Sequence, residues 1–124
     1  MPFVYDNAVG KSEATLTLSS NTDWTVKGVN RLTIWFRGTA GNAAENLYVA
    51  LNDSAVVNHD NPNAAAQITS WTSWNIDLQA FSDQGVNLAN VTSITLGLGN
   101  RDNPVAGGAG MMYFDDIRLY PPAP

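Results

Sequence analysis

Apolar and polar residues alternate with a period of two along most of the chain. Ala14, Leu16 and Leu18 alternate with Thr15 and Thr17; Leu32, Ile34 and Phe36 with Thr33, Trp35 and Arg37; Leu47, Val49 and Leu51 with Tyr48, Ala50 and Asn52. Further on, Trp74, Ile76 and Leu78 alternate with Asn75 and Asp77, and Ile94, Leu96 and Leu98 with Thr95, Gly97 and Gly99. Tyr113, Ile117 and Leu119 are expected to share one side of a last strand, which begins after Gly107-Gly108-Ala109-Gly110. Successive strand side chains point to opposite faces, so each segment has one face for a core and one for something else. Asn, Asp and Gly punctuate the gaps, and helical signals are thin. The stretch from about 78 to 90 has room for a short helical turn, with Phe81 and Leu88 plugging one end of the core. The pattern predicts an all-β fold, a two-sheet antiparallel β-sandwich of the jelly-roll type, over residues 1–120. Residues 121–124, Pro-Pro-Ala-Pro, read as a stiff tail or linker stub to covalently linked neighbouring domains.

Composition narrows the function. The chain has 124 residues, enough for one domain with a real core. A net charge of −5 argues against a nucleic-acid partner, because phosphate binding needs a basic surface. No cysteine is present, so neither disulfides nor a thiolate zinc site can form. No apolar run is long enough to span a membrane, and Met1-Pro2-Phe3 does not read as a signal peptide.

The pieces of an enzyme do not come together. His59 lies in Asn58-His59-Asp60-Asn61-Pro62, which reads as a turn, with no Gly-x-Ser-x-Gly elbow to accompany it. Asp115 and Asp116 are adjacent, and adjacent strand residues face opposite ways. They do not flank one glycosidic bond at the roughly 5–9.5 Å that hydrolysis needs. Asp53, Asp77, Asp102 and Glu45 read as turn and surface residues. The chain is expected not to be an enzyme.

The last strand, Met112-Tyr113-Phe114-Asp115-Asp116-Ile117-Arg118-Leu119, resembles the closing strand of the jelly-roll carbohydrate-binding modules attached to secreted glycoside hydrolases. Trp74-Asn75-Ile76-Asp77-Leu78, with Phe81 and the stretch from Gly85 to Gly99, is similar to their central strand, loop and strand. Leu32 to Gly38 followed by Leu47 to Leu51 matches their middle strands. The resemblance implies an extracellular protein that binds polysaccharide or oligosaccharide. It also implies a structural calcium ion, held by Asp115 and by Asp6 near the start, with Glu45 as third ligand; Glu13 is an alternative for the early carboxylate. Calcium takes six to eight hard oxygens, which is the chemistry of such a set. The competing reading of Asp115 is a turn cap or a partner of Arg118.

Sugars are recognised by an aromatic ring on their C–H face and by polar groups around it. The positions facing away from the expected core include Trp35, Arg37, Tyr48, Asn52, Asn75 and Asp77. Trp35 and Tyr48 are expected on neighbouring strands, with Arg37 one step along. The loop carrying Arg101 and Asp102 is a second candidate. Each has a bland rival: Trp35 covered by a loop, Arg101 and Asp102 paired with each other. Trp24, Trp71 and Trp74 are expected to fill the core or its ends. The alternative function is a protein-interaction or adhesion module of a larger secreted protein.

Overall fold

The computed structural model describes residues 2–6, 11–18, 23–25, 29–39, 41–42, 45–61, 64–99 and 108–120. They form eight strands and two short helices: β1 Pro2–Asp6, β2 Lys11–Thr17, β3 Arg31–Arg37, β4 Leu47–Leu51, β5 Ala55–Asn58, α1 Ala64–Gln67, β6 Thr72–Asp77, α2 Gln79–Ser82, β7 Ser93–Gly99 and β8 Ala109–Tyr120. Two four-stranded antiparallel sheets result. Sheet A runs β1-β8-β3-β6 and sheet B runs β2-β7-β4-β5. The chain therefore changes sheet between β3 and β4, as a jelly roll does and a simple meander does not.

The inward residues are the aliphatic and aromatic members of the alternating runs. Leu32, Ile34 and Phe36 from β3 meet Leu47, Val49 and Leu51 from β4 and Leu96 and Leu98 from β7 in one core. Trp24 and Trp74 are in that core, as expected. Phe81 on α2 is fully buried and Leu88 packs against the same cluster, so this segment does close one end of the sandwich. No helix among the described residues is long and apolar enough to cross a membrane.

Two strands without a clear alternation complete the sheets. β1 pairs with the first part of β8, from Pro2↔Tyr113 to Asp6↔Ala109. β5 pairs with β4 through a tight turn in which Asn52 and Asp53 both have positive φ, 54° and 57°. That is the type I′ geometry that suits a two-stranded ribbon, and Asn and Asp tolerate it.

β8 departs from regular alternation. Thr33 pairs with Arg118, but Trp35 pairs with Asp115, so Asp116 and Ile117 together stand opposite Ile34. This bulge switches the parity of the strand. Before it, Met112 and Phe114 face the core; after it, Ile117 and Leu119 do. Tyr113 and Asp115 consequently face outward. The expectation that Tyr113 shares the side of Ile117 and Leu119 is corrected, and Asp115, an expected metal ligand, also faces away from them.

Candidate functional site

Four strands build the outer face of sheet A. Register sets Asp77, Arg31 and Tyr120 in one row, Asn75, Thr33 and Arg118 in the next, and Ser73, Trp35 and Asp115 in a third. A fourth row pairs Arg37 with Tyr113. Trp35 has a small serine on one side and an exposed aspartate on the other, so its indole remains 37% exposed. Trp71, just before β6, is 46% exposed, which corrects its expected place in the core or at its ends.

Arg37 lies between two aromatic rings. Its guanidinium carbon is 4.1 Å from the Tyr113 ring centroid and 5.6 Å from that of Trp71. Arg31 repeats the motif at the other end of β3, 5.1 Å from the Tyr120 ring centroid. Such contacts contribute about 0.5–1 kcal/mol at exposed sites, which biases the orientation of a flexible side chain. Between them Thr33 Oγ1 donates to Asn75 Oδ1 at 2.7 Å, and Asn75 Nδ2 donates to Ser73 Oγ at 3.4 Å. Asp77 Oδ1 accepts the Gln79 amide at 2.9 Å and shapes the entry to α2. Exposed aromatic surface, oriented guanidinium groups and a hydroxyl–amide chain thus share one face.

Four of the expected binding residues, Trp35, Arg37, Asn75 and Asp77, do lie together here. Tyr48 does not. It belongs to β4 in sheet B, on the face opposite the core, and is 0% exposed. Its ring lies across Gly97 of β7, where a Cβ would fall inside the contact distance of the ring. Its hydroxyl donates to Glu13 Oε2 of β2 at 2.6 Å. Tyr48 is therefore a tie across three strands of sheet B and not a neighbour of Trp35. Asn52 is likewise structural: its Oδ1 accepts the Thr92 amide at 2.7 Å and its Nδ2 donates to the Asn90 carbonyl. Arg101 and Asp102 lie outside the described residues.

The expected calcium ligands do not converge. Glu45 Oε1 accepts the Gly108 amide at 2.8 Å, and its charge, after burial, helps raise the pKa of the buried Tyr5 hydroxyl. Asp6, described for its backbone only, pairs with Ala109 beside that glycine. Asp115 lies six residues further along β8, about 20 Å at the usual rise per residue. Glu13 is bound to Tyr48. Among the described residues no three histidine or carboxylate side chains cluster as metal ligands would.

The same corner shows how β8 is held where β3 ends. Asn42 Nδ2 donates to the Met111 carbonyl at 2.8 Å, and its Oδ1 accepts the Met111 amide at 2.9 Å. One side-chain amide thus supplies both bonds that a strand residue would make.

His59 is half-buried between Phe36 and Trp74, at 5.5 and 5.1 Å between ring centroids. Its Nδ1 accepts the Asn61 amide at 3.0 Å, which closes the turn. Burial lowers its pKa, with Asp60 and the Asn61 contact pulling the other way.

Sequence reasoning missed Trp71, Tyr113 and Arg31. The alternation of β6 extends backwards to Trp71, which shares parity with Ser73, Asn75 and Asp77, so that signal was present. Tyr113 was hidden by the bulge.

No family model matches the sequence, and no curated protein is similar to it at a significant level. Solved structures do match. One is a family 11 carbohydrate-binding module from Clostridium thermocellum in complex with a β-1,3-1,4-mixed-linked tetrasaccharide, at a TM-score of 0.56 and 14% identity, covering 98% of this chain and 88% of that one. Another is the family 11 module of the cellulosomal cellulase Lic26A-Cel5E of Clostridium thermocellum, at a TM-score of 0.55 and 14% identity, covering 98% and 87%. At this identity the likeness is one of fold: the chain has the β-sandwich jelly roll of these modules.

Proposed function

We propose that the chain is a non-catalytic carbohydrate-binding domain of a secreted protein, and that it takes its ligand on the outer face of sheet A. One observation carries this placement: Trp35 and Trp71 are exposed on the same face, with Arg37 oriented between Trp71 and Tyr113. Exposed indoles offer apolar area for the C–H face of a sugar ring, and the guanidinium and amide groups suit its hydroxyls. The jelly-roll likeness to oligosaccharide-binding modules supports the ligand class without fixing the sugar. A shallow platform of this size gives weak binding, on the order of micromolar to millimolar.

The test is affinity electrophoresis against a panel of soluble polysaccharides, with Trp35→Ala and Trp71→Ala beside the wild type. Each substitution is expected to weaken binding about tenfold or more, the loss of one stacked ring. The circular dichroism spectrum should not change. Undiminished binding by both variants would move the site to sheet B or to Arg101 and Asp102. No glycan binding, together with specific capture of a defined secreted protein, would favour the protein-interaction alternative. A structural calcium stays part of the proposal only for the corner of Asp6 and Glu45, and only with oxygen donors beyond those two.

A further inference from the structure

Three arginines gather on the outer face of sheet A of an acidic protein. The chain has six basic residues against eleven acidic ones. Three of the six, Arg31, Arg37 and Arg118, occupy this one face by register, with Asp77 beside Arg31, Asp115 beside Trp35 and Asp6 away on the edge strand β1. Arg31 and Arg37 bracket Trp35 at the two ends of β3, about 20 Å apart at the usual strand rise.

Two of these cations are not neutralised by any described residue. Among the described residues neither Arg31 nor Arg37 is met by a carboxylate; aromatic rings alone hold them. Arg31 Nε is buried and has no acceptor among the described residues, so the terminal N–H groups of this guanidinium are the ones left to meet a ligand. A guanidinium stacked on a ring keeps its in-plane N–H fork free, and that fork matches a planar or tetrahedral oxyanion better than it matches single hydroxyls. A neutral sugar could be served as well by Asn or Gln, which place no uncompensated charge beside two exposed indoles.

We infer that this face selects an anionic glycan, a polysaccharide bearing carboxylate or sulfate groups, with Arg37 as the principal anion contact and Arg31 as a second one further along the chain. The inference rests on the carbohydrate-binding proposal and names its substrate class. Ring stacking on Trp35 and Trp71 would hold the sugar backbone while the two guanidinium groups read its charged substituents.

The experiment measures binding of the full chain to polygalacturonate, to a sulfated galactan and to a neutral mixed-linked β-glucan. It is run at about 0.15 M and about 1 M sodium chloride, where the screening length falls from about 8 Å to about 3 Å. The wild type should bind one of the anionic polymers about tenfold more tightly than the neutral one, and lose most of that advantage at high salt. Which anionic polymer it prefers assigns carboxylate or sulfate. Arg37→Gln should abolish the preference, weakening binding to the anionic polymer far more than binding to the neutral glucan, because the stacked rings remain. Equal or stronger binding to the neutral glucan, insensitive to salt, overturns the charge selection and leaves the platform standing. If Trp35→Ala and Trp71→Ala both leave binding of every polymer unchanged, the platform itself falls and the inference with it.

Discussion

Gly97→Ala sets two physical effects against each other, and the structure decides the sign. A glycine inside a strand is entropically unfavourable, so alanine there should stabilise by roughly 0.5–1 kcal/mol if nothing else intervened. Here the added methyl meets the far end of the Tyr48 ring. That ring cannot swing aside cheaply, because it is fully buried and its hydroxyl is tied to Glu13. Inserting a methyl where none fits costs about 1–3 kcal/mol, and a hydrogen bond to a charged acceptor is worth about 1.5–3 kcal/mol if it breaks. The net expectation is a loss of about 2 kcal/mol or more after the backbone gain is subtracted. Urea unfolding followed by tryptophan fluorescence reads it: at a slope of about 2 kcal/mol/M the midpoint falls by about 1 M. Tyr48→Phe isolates the hydrogen bond and should cost about 1.5 kcal/mol, the low end of that range, since the exposed Glu13 recovers water. In the Gly97→Ala/Tyr48→Ala pair the two losses should fall short of additivity by about 1 kcal/mol or more, since the obstacle is gone. A more stable Gly97→Ala protein, or additive losses in the pair, would refute the contact as the reason for glycine at this position.

Three further outcomes are expected. Phe81→Ala removes a fully buried ring from the end of the core and should cost about 3–5 kcal/mol, measured by the same urea titration. His59 has a folded-state pKa below its ordinary value of 6.5, so the unfolded chain takes up its proton first. Stability should be complete above that value and decline as pH falls below it; His59→Gln should flatten that part of a melting-temperature profile run from neutral to mildly acidic pH. If a calcium ion occupies the Asp6 and Glu45 corner, chelator should lower the melting temperature of the purified protein and Glu45→Gln should remove the effect. Unchanged melting with no metal by elemental analysis would exclude it.

The parts of the fold legible in the sequence are those where one chemical force acts alone. Six strands follow from the period of their apolar residues, because only one face of each contributes to the apolar core. β1 and β5 were not legible: they are short and held by their partners, and their own residues carry little pattern. The face of Trp35 and Arg37 could be read, since parity holds throughout β3. What failed is what depends on two segments at once. Tyr48 has outward parity like Trp35, but parity does not say which sheet a strand joins, and a buried ring over a glycine looks in sequence like an exposed one. Asp115 failed for a different reason, since a single unpaired residue at the bulge reverses the face of everything beyond it.

The bulge at Asp116 and Ile117 also makes β8 a strand of two frames. Removing one residue there would leave a continuous pleat in which Met112 and Phe114, or else Ile117 and Leu119, must turn to solvent. A single-residue deletion in this strand should therefore be far more damaging than any single substitution at Asp116, although an extra residue in a surface loop costs little. The same geometry bears on alignment. Any ungapped match of this segment to a regular strand sets interior positions against surface ones past residue 115, so a true correspondence in β8 becomes visible only when the comparison admits a gap inside a strand, where gaps are ordinarily penalised most.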